Sequence, residues 1–225
     1  ASIHYTTDGS TPTLSSPTYS SPFTVSATTT VKYAAWDNAG NAEQTHTQQI
    51  QVDTTAPSTT IACNGSACSG WYAPGVAVSL SASDAGSGVA SLHYTTDGST
   101  PTLSSPTYTA PFTVSATTTV KYAAWDNAGN AEQANTQTIQ IDSTAPSSTI
   151  SCNNSPCSTS AYSAAVTVAL SATDAESGVS VIRYTTDGTD PTASSTAYSG
   201  PFTVSSTTTI KYRAWDNAGN VEPTK

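Results

Sequence analysis

The chain has 225 residues and a net charge of −9, with six Lys and Arg in all and 9% charged residues. Six scattered cations form no basic patch, which argues against a nucleic-acid partner, and no run of eighteen apolar residues exists to span a bilayer. Apolar residues make up 36% of the chain and recur at alternate positions. The chain can therefore fill several small cores, and disorder is excluded despite the wealth of Ser and Thr.

The sequence repeats itself. The stretch YTTDGSTPTLSSPTY at 5–19 returns unchanged at 94–108, and a looser copy, YTTDGTDPTASSTAY, spans 184–198. Trp36, Trp125 and Trp215 keep the same spacing. A period near ninety residues marks a tandem array of whole small domains, because solenoid repeats are shorter. The repeats divide the chain into 1–53, 54–142 and 143–225.

In chain order, the complete middle copy reads as follows. PSTTIAC (57–63) is a short first strand entered through a proline. The loop CNGSAC follows, with Cys63 and Cys68. Val76, Val78, Leu80 and Ala82 alternate on one face of a half-buried second strand, which SDAGSG then ends. VASLHYT is a third strand with Ala90, Leu92 and Tyr94 inward. TDGSTPTLSSP is a long connection, in which Asp97, Gly98 and Pro101 supply turn chemistry. Phe112 and Val114 lie on a short strand, and Val120, Tyr122 and Ala124 on a longer one, with Lys121, Ala123 and Trp125 on its other face. The turn NAGN (127–130) leads into a last strand. About seven short strands with no helical period predict an antiparallel β-sandwich of the immunoglobulin or fibronectin type.

The first repeat opens at its third strand, with no signal peptide ahead of it, and the third stops before its last strand. Two expectations follow: the chain is a window on a longer array, or a neighbouring chain supplies the missing strands. The first is favoured. Cys63 with Cys68, and Cys152 with Cys157 in CNNSPC, are local pairs. Disulfides and an oxidising, extracellular setting are favoured over zinc, which wants more ligands than either loop offers.

The pattern YTTDGSTPT…SSPTY…PFTV…TTTVKYAAWDNAGN resembles the chitobiase/β-hexosaminidase C-terminal-like module. This is a fibronectin-III-like bacterial domain often strung in tandem on secreted enzymes and surface proteins. The resemblance covers essentially the whole chain and implies an accessory module. It does not imply the glycosidase activity of the enzymes that carry such modules, which belongs to a separate domain.

The candidate chemistry is sparse. His4 and His93 share a repeat position that holds Arg183 in the third copy, and His46 is matched by Asn135, so none reads as a general base. Glu43, Glu132 and Glu222 sit beside turns without an acidic partner at glycosidase spacing. No catalytic motif occurs, and the chain is expected not to be an enzyme and to require no cofactor. Asp84 and Asp126 are expected at one end of the sandwich, with Asp53 arriving from the linker. Asp174, Asp216 and Asp142 repeat the set, with Glu176 beside them. Clustered carboxylates suit calcium, while the plainer reading is that each Asp caps its own turn.

Trp36, Trp125 and Trp215 point outward and either form a sugar platform or lie against the sheet. Asn64 and Asn153 begin Asn-x-Ser sequons, and the Thr clusters at 28–30, 117–119 and 207–209 suit either O-linked sugar or strand structure. The expected role is a non-catalytic extracellular or cell-surface stalk, spacer or filament, its partners being identical chains or further repeats end to end. A short proline-bearing linker keeps such an array extended. The alternative is an adhesin or a polysaccharide-binding accessory module of a secreted hydrolase.

Overall fold

The computed structural model describes residues 1–225 and contains sixteen strands and no helix. The first repeat holds β1 (Ser2–Thr6), β2 (Thr29–Trp36) and β3 (His46–Ile50). The second holds β4 (Ser58–Cys63), β5 (Trp71–Tyr72), β6 (Val76–Ser83), β7 (Val89–Thr95), β8 (Phe112–Val114), β9 (Thr118–Asp126) and β10 (Asn135–Ile141). The third holds β11 (Ser147–Cys152), β12 (Val166–Thr173), β13 (Val179–Thr185), β14 (Thr196–Ala197), β15 (Phe202–Val204) and β16 (Lys211–Asp216).

The sheets run β1-β2-β3, then β4-β6-β8 with β5-β10-β9-β7, then β11-β12-β15 with β14-β13-β16. These are the two layers of a fibronectin-III-like sandwich, complete in the second repeat. The chain divides into two compact units, residues 1–59 with 82–92 and 123–133, and residues 60–81 with 93–122 and 134–225. That division passes through β4, β6, β7 and β9, whereas the sequence period breaks at 53/54 and 142/143.

Within the second unit the layers meet through apolar side chains. Val76, Val78 and Leu80 of β6 are buried, as are Val120 and Tyr122 of β9 and Ile139 and Ile141 of β10. Tyr94 of β7 stacks on Phe112 of β8 at 4.5 Å, and Tyr184 on Phe202 repeats the contact. In the third repeat Cys152, Val166 and Val168 pack with Ile150, Phe202, Val204 and Ile210. Period-2 alternation brought these side chains to one face.

Three strand-level expectations need correction. Ala90 is exposed and His93 is buried, because the outer face of β7 is partly covered too. His93 Nδ1 donates to the Ser105 carbonyl at 2.8 Å, and His4 does the same to Ser16 at 2.7 Å. In the third copy the Arg183 guanidinium donates to Ser195 at 2.6 Å. The His-to-Arg swap thus preserves a donor that pins the long connection. Ala123 is also buried, although it alternates out of phase with the core set. Finally, Trp71–Tyr72 forms a strand the sequence did not reveal, and it pairs parallel to β10 in an otherwise antiparallel array. Two residues are too few to show a period.

Both cysteine pairs are disulfides, Cys63–Cys68 and Cys152–Cys157. Each bond closes a loop with a sequence separation of five, worth about 2 kcal/mol in the chain-entropy account. Replacing Cys63 and Cys68 by Ser should lower the unfolding free energy of the second repeat by that amount, read as a lower urea midpoint. An unchanged midpoint would mean that the loop holds its shape without the bond.

Candidate metal centre

Asp53 lies in the linker before β4, Asp84 just after β6, and Asp126 at the end of β9. The fold brings these three acids together, with one carboxylate oxygen from each lying within 4.8 Å of the others. Asp142, Asp174 and Asp216 form the same cluster one period later. Each set lies inside a single compact unit.

The turns that carry these acids explain their aim. Asp84 Oδ2 accepts N–H bonds from Gly86 and Gly88 at 3.0 and 2.8 Å. Asp126 Oδ1 accepts from Ala128 and Asn130, and its Oδ2 from the Asn130 amide at 2.7 Å. The same Asn130 amide donates to the Asp53 carbonyl at 3.0 Å and so ties the linker to the NAGN turn. Asp53 accepts from the Thr55 and Ser87 N–H groups. Its carboxyl is held below the ordinary value, first by the Thr55 N–H and then by Ser87. Each Asp does cap its turn, as the plainer reading holds. The caps leave oxygens facing one another, however, and Asp84 Oδ1 is buried with no hydrogen-bond partner.

The second cluster is more acidic. Asp142 is fully buried. Burial pushes its carboxyl up, but bonds from the Ser177 hydroxyl and the Thr144 N–H outweigh this, and the net shift is downward. Glu176 stands where the first cluster has Gly86. Its carboxyl is pushed above the ordinary value by its hydrogen bond to Asp142, then by burial and by the charges of Asp142 and Asp174. Asn220 repeats the clasp, donating to the Asp142 carbonyl and to Asp216 Oδ2. In the first repeat Asp37 is capped alike by Ala39 and Asn41, with no second acid of the set beside it.

At Gly86 a Cβ would lie 2.4 Å from the Asp53 carboxylate. Gly86→Ala must therefore shift that carboxylate, towards the arrangement of the second cluster, where Asp142 keeps its bond from the Ser177 N–H beside Glu176. Calcium titration by calorimetry should show a changed affinity at the first cluster alone, and an equal change at both would refute the local cause.

The other candidate residues do not join these clusters. Trp36, Trp125 and Trp215 are half-buried. His4 packs edge-on against Trp36, and the Arg213 guanidinium sits 4.9 Å over Trp215. Asn64 and Asn153 are exposed on the disulfide loops with positive φ, and their side-chain oxygens accept the Ala77 and Thr167 N–H groups at 2.9 Å.

Sequence reasoning missed the clasps Asn130 and Asn220, although NAGN recurs in all three repeats. It also read Glu132 and Glu222 only as acids beside turns without an acidic partner. Glu132 accepts from the Thr59 N–H, the Thr59 hydroxyl and the Ala124 N–H. Glu222 does the same for Ser148 and Ala214.

These two-layer antiparallel units with capped acidic turns define a tandem β-sandwich module of the fibronectin-III type. The family described as the chitobiase/β-hexosaminidase C-terminal domain matches residues 1–48, 68–138 and 156–225, and the chain belongs to that family. Among solved structures, the chain is similar to the fibronectin(III)-like modules of Clostridium thermocellum CbhA at 14% identity. That match covers 74% of this chain and 90% of the other, with a TM-score of 0.41. A comparison with curated proteins finds no match.

Proposed function

We propose that the chain is a non-catalytic extracellular spacer, stalk or filament of tandem fibronectin-III-like repeats, in which a calcium ion ties each linker to the repeat that follows. The observation that carries the reading is the convergence of Asp53, Asp84 and Asp126, repeated as Asp142, Asp174 and Asp216. A linker acid and two acids from the next repeat meet in both copies. A hard cation would take carboxylate oxygens such as the unpartnered Asp84 Oδ1 and complete its shell with water.

Two disulfides support an oxidising compartment, and the family is described as a C-terminal domain of chitobiase and β-hexosaminidase. The surface offers few charges, which suits a spacer with little grip on stray partners. Identical chains or further repeats end to end are its natural partners. The half-buried tryptophans do not favour a sugar platform.

Surface labelling and electron microscopy of the source cells test the role. External labelling with threads or stalks is expected. Recovery from the reducing cytosol, or a monomer that binds polysaccharide tightly, would overturn it.

A further inference from the structure

The sequence holds two arginines, Arg183 and Arg213, and the fold sets them directly opposite each other. β13 and β16 pair antiparallel in the register Val181↔Trp215, Arg183↔Arg213, Thr185↔Lys211. Side chains two apart on a strand share a face, so Lys211, Arg213 and Trp215 stand on the same side of the sheet as Arg183. Half of the chain's six cations, scattered in sequence, thus meet on one strand pair. The other repeats carry no arginine here. His4 lies opposite Ala34, and His93 and Ala123 hold the same positions in the second repeat. Those four side chains are buried, whereas both arginines are only half-buried.

No ion pair joins either arginine to a carboxylate. Asp190 gives its oxygen to Lys211 Nζ at 2.7 Å, and Arg213 reaches it only as a charge at longer range. Arg183 donates one N–H to the Ser195 carbonyl. Arg213 lies 4.9 Å over the Trp215 ring, and its Nε is buried with no hydrogen-bond partner. Like charges directly opposite destabilise a strand pair, and a desolvated donor without an acceptor adds to that cost. Negative oxygens placed across the two guanidinium ends relieve the repulsion and offset the burial. Planar guanidinium forks suit this role, because they match an oxyanion with paired hydrogen bonds. The Trp215 ring holds one of the forks in place.

We infer that Arg183 and Arg213 form an oxyanion site confined to the third repeat, which takes a carboxylate, sulfate or phosphate group. The N–H groups of Arg213, and those of Arg183 beyond the Ser195 bond, donate to the anion. The chain's net charge of −9 does not forbid this, because charges more than about 8–10 Å away are largely screened at physiological salt. The half-open site is itself screened in part, so binding should weaken as chloride rises. The inference does not rest on calcium binding, and its failure would leave the spacer reading untouched.

Isotope-labelled arginine in the full chain gives one side-chain Nε–H resonance for each of the two residues. Sodium sulfate is titrated against sodium chloride at matched ionic strength, in EDTA to keep the acidic clusters out of play. Both resonances should shift along one saturating curve in sulfate. Arg213→Ala supplies the residue that the other two repeats carry at this position, so the variant should fold. It should weaken the sulfate response of Arg183 by about tenfold or more. Arg213→Lys keeps the charge without the fork and should also bind more weakly. Acetate and trigalacturonate then compete with sulfate. Greater potency of trigalacturonate per carboxylate assigns the bound group to an acidic sugar chain, equal potency assigns it to a free ion, and either result supports the site. A sulfate response no larger than that in chloride, or an Arg183 response unchanged in Arg213→Ala, would overturn the inference. So would an uncharged oligosaccharide that shifts both resonances as strongly as sulfate.

Discussion

Calcium should raise the melting temperature of this chain, and chelation should reverse the rise. An ion that binds only the folded state adds about 2.7 kcal/mol at a hundredfold excess over its Kd. For a repeat near ninety residues that corresponds to roughly 10 °C or more. The test of site assignment is a sign change at Asp84. Its Oδ2 accepts two turn N–H bonds, which the oxygen of an asparagine can keep. The buried, unpartnered Oδ1 is then the atom replaced. Asp84→Asn removes a charge from three crowded carboxylates, so it should raise stability in EDTA and lower it in calcium. Asp174→Asn should act likewise on the second cluster, and the double variant should lose the calcium response. Calorimetry that shows no calcium effect on the wild-type chain, or one that survives both changes, would refute the cation reading.

Glu222→Ala should unfold the third repeat at a markedly lower denaturant concentration. Glu222 is only 3% exposed and accepts bonds from the Ser148 N–H and hydroxyl and from the Ala214 N–H, with Lys225 Nζ 2.8 Å away. Truncation leaves buried donors without an acceptor, at a cost of about 3 kcal/mol. Glu222→Gln retains one acceptor oxygen and should fall between the two.

The same group predicts a pH dependence. Burial pushes the Glu222 carboxyl up, but Lys225, the Ser148 hydroxyl and the two N–H groups prevail, so its folded value lies below the ordinary 4.5. A depressed folded value means the stabilisation is present above the unfolded value and disappears as pH falls through the folded one. Melting temperature should therefore drop below about pH 4.5, and by less in Glu222→Ala, where the lowered carboxyls of Asp142, Asp187 and Asp190 remain. Parallel acid profiles for the two proteins would show that Glu222 does not anchor the repeat.

Much of the fold was legible in the letters. Val76, Val78 and Leu80 alternate and are buried, as are Val120 and Tyr122. Period-2 hydrophobicity is a local signal, and so is a cysteine pair five residues apart. The acidic clusters were legible for a different reason: the sandwich topology places the end of one strand, the start of the next loop and the incoming linker at one end, and the repeat offered each set twice. Glu132 and Glu222 were opaque. Nothing near Glu222 in sequence says that Ser148, seventy-four residues earlier, presents its N–H and hydroxyl to it. Strand β5 was opaque because its parallel partner, Gln140–Ile141, also lies far along the chain.

By itself, then, the sequence determined the number of repeats, the strand alternation and the disulfide loops, which follow from local periodicity and spacing, and the residues of the acidic clusters, which follow from the sandwich topology and their recurrence in two repeats. The tertiary structure alone decided which acids are buried, which glutamates pin a first strand, and that Arg183 stands opposite Arg213. Burial and backbone pairing depend on partners tens of residues away, and a strand without a neighbour to take its hydrogen bonds has no reason to be one.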